Sequence, residues 1–200
     1  DNLGARGLWG KSNQYEESAG VPMIMAGPDI PEGQVRTTPV SHVDCHQSIF
    51  HSTGAEMAAD DRTGRSLLDI AGEPDDAERI VLSQYHAVGA VTGAFMLRQG
   101  NWKYVHYVGL PPELFDLAND PEEMTDLGQD PTQADRIATF ERALRDMLDP
   151  EAVDASAKAS QRALVEKHGG REAILKKGGF GATPAPGEEP VFESSEEAAT

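Results

Sequence analysis

Four short runs of strand-forming residues between residues 79 and 117, separated by turn signals, constrain this chain more than any other feature: they are candidate strands of a small sheet. The runs are Arg79–His86, Gly93–Arg98, Trp102–Val108 and Glu113–Leu117. The short, glycine-bearing link Gln99-Gly-Asn101 signals a hairpin between the second and third. Pro111-Pro112 breaks the third from the fourth. In the third run Trp102, Tyr104, His106 and Val108 alternate with Lys103, Val105 and Tyr107, so the two sets face opposite sides. His106, in line with the aromatics, reads as a packing residue.

Helices are expected on either side. Ser41 is a candidate N-cap for a helix from about His42 to about His51, with Asp44 in the first turn and Gly54 as the stop. Gly64–Ala71 is a short apolar element. Asn119–Glu123 reads as a turn opening a helical piece. Asp130 can cap the next helix, Pro131 suits its first position, and Ile137, Phe140, Leu144, Met147 and Leu148 share one face. A further helix spans about Pro150 to Lys167 and is stopped by Gly169-Gly170, with another turn or two over Arg171–Lys177. From Gly178 onward the composition predicts little fixed structure. Near the start, residues 1–20 read as loop, Val21–Ala26 as a strand buried on both faces, Pro28–Pro39 as a surface connection, and Ala55–Asp61 as loop.

The formal net charge of −17 argues against a nucleic-acid or anionic-membrane surface. Residues 181–200 add five glutamates and no basic residue, a run that reads as solvated. No apolar run is long enough to span a membrane as a helix. Cys45 is the one cysteine, so no internal disulfide forms; this fits a reducing compartment and favours the cytoplasm, with the periplasm open. The first residue is Asp1 with no leader-like segment after it, which suggests a processing site or the inside of a longer protein.

Several side chains are candidates for chemistry. Lys11 follows a glycine-rich approach, Gly7 and Gly10, and precedes an aromatic-acidic run, Tyr15-Glu-Glu. A lysine delivered by such a loop suits a sulfate or phosphate oxyanion, although most loop lysines are simply solvated. Trp9 would wall a pocket for a cationic or aromatic group, or pin the loop. His86 ends a strand, where substrate contacts often arise; the plain alternative is a histidine hydrogen-bonded within the sheet. His42 and His46 share a helix face at i and i+4, as in a zinc site, but Val43 stands where His-Glu-x-x-His has glutamate. Ser41, His42 and Asp44 are not a triad, since near neighbours on one helix point apart.

Three pieces, in this order, resemble the C-terminal part of a sulfatase, in the alkaline-phosphatase-like superfamily that includes the phosphonate monoester hydrolases. The first is Leu8-Trp-Gly-Lys-Ser-Asn-Gln-Tyr-Glu-Glu17 leading to Val21-Pro-Met-Ile24. The second is Val40-Ser-His-Val-Asp44 followed by Gly64-Arg-Ser-Leu-Leu68. The third is Arg98-Gln-Gly-Asn-Trp-Lys-Tyr-Val-His106 with Glu113-Leu-Phe-Asp-Leu117, Asp120-Pro-Glu122 and Asp126-Leu127, where Asp126 replaces the family's usual asparagine. The approach Gly4-Ala-Arg-Gly-Leu-Trp9 is similar to that of choline-sulfatase-like members. The resemblance covers roughly residues 1–130.

The resemblance implies an α/β fold: the C-terminal portion of a sulfatase/alkaline-phosphatase-like domain, with one or two strands of the large sheet, a small antiparallel sheet and packed helices. It divides the chain into the end of the catalytic domain (1–75), the small-sheet subdomain (76–130), C-terminal helices (131–177) and a flexible acidic tail (178–200). It implies hydrolysis of a small-molecule sulfate ester, or of a phosphonate or phosphate ester, with Lys11 on the ester's oxygens; His86 is the second candidate substrate contact, from its place at a strand end. Sulfatases use a Cys/Ser-x-Pro-x-Arg signature, oxidised to formylglycine, and a divalent ion, calcium by family. That signature does not occur here, and Cys45 is followed by His46-Gln-Ser. The nucleophile and metal ligands are therefore expected outside this chain, which alone would be inactive. Alternatives are a non-catalytic oligomerisation or binding module, with Ile137, Phe140 and Leu144 facing a partner in a homo-oligomer, and a small zinc protein built on His42 and His46.

Overall fold

The four strand-forming runs pair as one sheet. A computed structural model describes residues 1–8, 10–55, 64–87 and 90–178, and the backbone alone at 179–180 and 192–193. The strands β1 (Ile80–Tyr85), β2 (Ala94–Gln99), β3 (Trp102–Tyr107) and β4 (Glu113–Asp116) form an antiparallel meander in that order. Gln99 pairs with Trp102 across the two-residue loop Gly100-Asn101, and Gly100 takes φ +51° there. A left-handed φ in so short a hairpin is why glycine stands at that position.

Both faces of this sheet are covered, which is why both sets of alternating residues in β3 are large or partnered. Trp102, Tyr104 and His106 face helix α4 (Ala134–Met147). The Tyr104 ring stacks on Phe140 with centroids 5.5 Å apart, its hydroxyl donates to Glu141 Oε2 at 2.7 Å, and Arg136 lies over the Trp102 ring at 3.8 Å. Phe95, Leu97 and Leu114 complete this buried layer with Leu144. The opposite face carries Ala94, Met96, Arg98, Lys103, Val105 and Tyr107, and Ala19 packs against Ala94, Met96 and Val105. His106 sits where its alternation placed it, with Nδ1 3.0 Å from Glu141 Oε2 and its ring edge toward Phe95.

The helices follow their caps. Helix α2 is His42–Thr53, ended by Gly54 in the left-handed region, and α3 is Leu67–Gly72 with Ser66 accepting from Leu68 N. Asp130 accepts from Thr132 N and opens a 3₁₀ turn, Pro131–Gln133, ahead of α4. Residues 1–151 form one compact unit and 152–200 another. Helix α5 runs Pro150–Lys167 and α6 Gly170–Lys177; the break between them is turned by Gly169, at φ +91°.

Several expectations are corrected. Val21–Ala26 is not a buried strand. It is largely exposed, with Ile24 at 90% exposure, and no strand precedes β1 among the described residues. An apolar run becomes a buried strand only when flanking strands supply hydrogen bonds and cover, and none of the described residues does so. Residues 1–20 are not all loop: a 3₁₀ turn forms at Ala5–Gly7 and α1 at Glu16–Ala19. No helix follows Asn119. The Asp120 carboxylate accepts from Met124 N and Thr125 N, Asp126 Oδ1 accepts from Leu114 N and Gly128 N, and these side-chain acceptors take the donors a helix would have used. Met147 is exposed rather than in the core face of α4. Phe140 and Leu144 are buried in this chain's own core, so they do not form a partner-facing surface. The segment expected to lack structure from Gly178 contains a two-residue ladder, β5 (Gly179–Phe180) with β6 (Phe192–Glu193); the rest of that tail, and residues 56–63, lie outside the described residues.

The Tyr104–Phe140 stack fastens α4 to the sheet. Phe140→Ala is expected to cost about 3–5 kcal/mol, read as a lower urea midpoint in equilibrium unfolding.

Candidate functional site

Lys11 leaves a tight loop that closes on Asn2. The buried Asn2 donates to Gly10 O from its backbone N, at 2.9 Å, and from its side-chain Nδ2, and Gly4 N donates to Leu8 O at 2.8 Å. Leu3, Gly4, Arg6 and Gly7 all have positive φ, which winds the loop tightly. Lys11 itself is exposed, and no hydrogen bond or ion pair joins it to another of the described residues. Trp9, the proposed pocket wall, lies outside the described residues.

Three residues further on, the chain is pinned from below. Lys103, 0% exposed on β3, donates from Nζ to Gln14 O at 2.9 Å and lies 2.6 Å from Glu16 Oε1 and 2.7 Å from Glu123 Oε1. Glu123 Oε2 accepts from Glu16 N at 2.7 Å. Arg6 donates to the carbonyls of Glu122 and Glu123, and its guanidinium lies over the Tyr15 ring at 3.9 Å. Tyr15 and Tyr107 both donate to the Glu113 carboxylate, at 3.2 and 2.8 Å. Burial, then the Glu113 charge, pushes the Tyr15 hydroxyl up to about 12. Burial also raises the Glu113 carboxyl against the opposing pull of its two tyrosine hydrogen bonds.

The second sequence candidate is elsewhere. The ring of His86 meets Phe95 edge-on with centroids 5.2 Å apart, and its Nε2 lies 3.4 Å from Gln84 Oε1. Phe95 belongs to the face covered by α4, whereas the Lys11 segment covers the other face, so the fold does not bring Lys11 and His86 together. The His46 ring lies tilted against Phe50 with centroids 4.8 Å apart, and among the described residues no three His, Cys, Asp or Glu side chains converge as a metal site. Asp44 is a fully buried capping residue: it accepts from Ser41 N at 2.8 Å, Arg65 N at 2.9 Å and Arg79 Nη2 at 2.7 Å.

The family model described as "N-sulphoglucosamine sulphohydrolase, C-terminal" matches residues 4–149. The chain belongs to this sulfatase family. It is 38% identical over 167 residues to choline-sulfatase of Rhizobium meliloti, a match covering 80% of this chain and 32% of that protein. It is 34% identical over 128 residues to human arylsulfatase K, covering 58% and 24%. Among solved structures it is similar to the phosphonate monoester hydrolase SpPMH of Silicibacter pomeroyi, with a TM-score of 0.62 at 25% identity over 72% of this chain and 32% of that one. The chain thus spans about a third of the length of choline-sulfatase, and the four-stranded sheet with its helices matches the C-terminal portion of sulfatase structures.

Within this sulfatase C-terminal region the motif residues meet in space. Gln14, Tyr15 and Glu16 of the first piece (Leu8 to Glu17) touch Lys103, Glu113 and Glu123 of the third. Neither Lys103 nor Glu123 was singled out from sequence. The available signal was a lysine inside a strand whose both neighbours are large and apolar, a place where an ammonium has to be paired.

Asp44 gives a pH test. Burial works to raise its carboxyl, and the hydrogen bonds from Arg79, Arg65 N and Ser41 N outweigh it, holding it below the ordinary 3.8. A depressed carboxylate stabilises the fold above its unfolded value and loses that contribution as pH falls through the folded one. Asp44→Asn is therefore expected to be destabilised by a constant amount near neutral pH and to converge on the wild type below about pH 4, in urea unfolding across pH 3–7.

Proposed function

We propose that the chain is the C-terminal part of a sulfatase-like hydrolase that cleaves a small-molecule sulfate ester. In this reading Lys11 contacts the ester's sulfate oxygens, while the nucleophile and metal ligands belong to polypeptide N-terminal to these residues. The observation that carries the reading is the run Val21–Met25. It follows α1 just after the Lys11 loop, it is neither helix nor strand, and with Val35, 85% exposed, it leaves apolar side chains in water. Burying such surface is worth about 25 cal/mol per Å², so the run suits a strand position beside a further part of the domain. The relatives, three times as long as the matched segment, supply room for that part.

Charge builds on the sulfate and leaving-group oxygens as the S–O bond breaks, and a held ammonium lowers that barrier. Lys11 has the exposure to meet such a group and a loop braced on both sides. The calcium ion and formylglycine implied by the family do not fit the residues of this chain: no described cluster offers three ligands, and Cys45 lies in α2 between the capping Asp44 and His46. Both are assigned to the remaining polypeptide. His86, packed on Phe95 across the sheet, better suits its alternative role within the sheet. A second reading, cleavage of a phosphonate or phosphate ester, is favoured by the likeness to SpPMH, since both tetrahedral anions offer a lysine the same oxygens.

The 200 residues alone are expected to give no turnover of an aryl sulfate, and measurable turnover would contradict the reading. In the intact protein Lys11→Ala should lower kcat/KM about 10²–10³-fold, and the ratio of kcat/KM on aryl sulfate to that on phenyl phosphonate separates the two esters.

A further inference from the structure

We infer that Lys103 is a positioning residue for Lys11: the small sheet sets where the anion-binding lysine stands, acting through a buried ammonium. The inference rests on the reading of Lys11 above and adds a role for a residue on a different element. Lys11 is bracketed by two clamps. On its N-terminal side Asn2 holds Gly10 O through two donors, and on its C-terminal side Lys103 holds Gln14 O. Between the clamps lie only residues 11–13, and Asn13 is itself fixed by accepting from Tyr15 N at 3.1 Å.

The second clamp is built beyond what covering a sheet requires. An apolar residue at position 103 would cover Phe115 and Arg98, its register neighbours, without desolvating an ammonium. Instead the strand carries a fully buried charge, and two carboxylates from distant segments are brought to neutralise it. One of them, Glu123, is a buried non-glycine residue at φ +51°. That backbone conformation is costly and persists where the surroundings dictate it. Here it aims the Glu123 carbonyl at Arg6 and the carboxylate at both Lys103 and Glu16 N. Apart from the Lys103–Glu123 ion pair itself, the bonds of the cluster end on Arg6, Gln14 and Glu16, residues on either side of Lys11.

The test compares Lys103→Met with Tyr104→Phe in the intact protein. Tyr104→Phe removes a buried hydrogen bond from the same strand on the opposite face. Two readouts are taken: amide hydrogen exchange by residue, and the shift of the Lys11 side-chain NMR signal on titration with inorganic sulfate. Lys103→Met should speed exchange at residues 10–17 at least tenfold while amides of β2 and β3 keep their protection, and should weaken the sulfate response of Lys11; Tyr104→Phe should leave residues 10–17 unchanged. Equal loosening of loop and sheet, or no change at residues 10–17, would overturn the inference. Should Lys103→Met fail to fold, Glu123→Gln, which keeps the ammonium and weakens its neutralisation, is read by the same comparison with the same two outcomes. If wild-type Lys11 shows no sulfate response, the functional reading fails; the exchange comparison still decides whether Lys103 holds the loop.

Discussion

One buried ammonium fixes where the segment bearing Lys11 lies on the small sheet. Lys103 brings the beginning of the chain onto a sheet that forms about ninety residues later, and it does so with acceptors from three places: a carbonyl at Gln14 and carboxylates at Glu16 and Glu123. A charge so far from water is tolerable only with this full set. Removing one partner from a buried pair typically costs about 3–5 kcal/mol, although the pair itself adds little net stability over an apolar substitute. Such an arrangement defines location more than it adds cohesion, which is the property a loop that presents a ligand-binding cation needs.

The sheet serves as a plate with two uses. On one side it packs α4 through an aromatic stack and the Tyr104–Glu141–His106 hydrogen bonds. On the other it receives the Lys11 segment through ionic and tyrosine–carboxylate contacts. Asp44 plays a comparable part at a second junction, where its carboxylate ties the start of α2 to residue 65 and to Arg79 at the threshold of β1. Two buried carboxylate–cation centres therefore help set the positions of these elements.

What was legible in the sequence was what local chemistry decides. The four strands, the hairpin at Gly100, Ser41 and Gly54 around α2, and Asp130-Pro131 before α4 all appear within a residue or two of their expected places, because alternation and capping act over a few residues. The family was legible because its motif pieces keep their order. What depended on distant residues was not. Val21–Met25 has the pattern of a strand but lacks strands beside it. The 119–128 segment has helical composition, yet Asp120 and Asp126 bind its backbone first. Lys103 and Glu123 gained their meaning only when the fold placed them together, while Lys11 and His86, both drawn from local context, fell on opposite sides of the sheet.

The buried cluster also fixes an order of assembly. The seat for residues 14–16 does not exist until β3 has paired and the loop carrying Glu123 has folded over it, contacts separated by 89 and 107 residues along the chain. Closing loops of that length brings no return until both ends are in place. The segment that precedes the sheet by some ninety residues is therefore among the last to find its final position, and the lysine it carries is set only after the plate beneath it is complete.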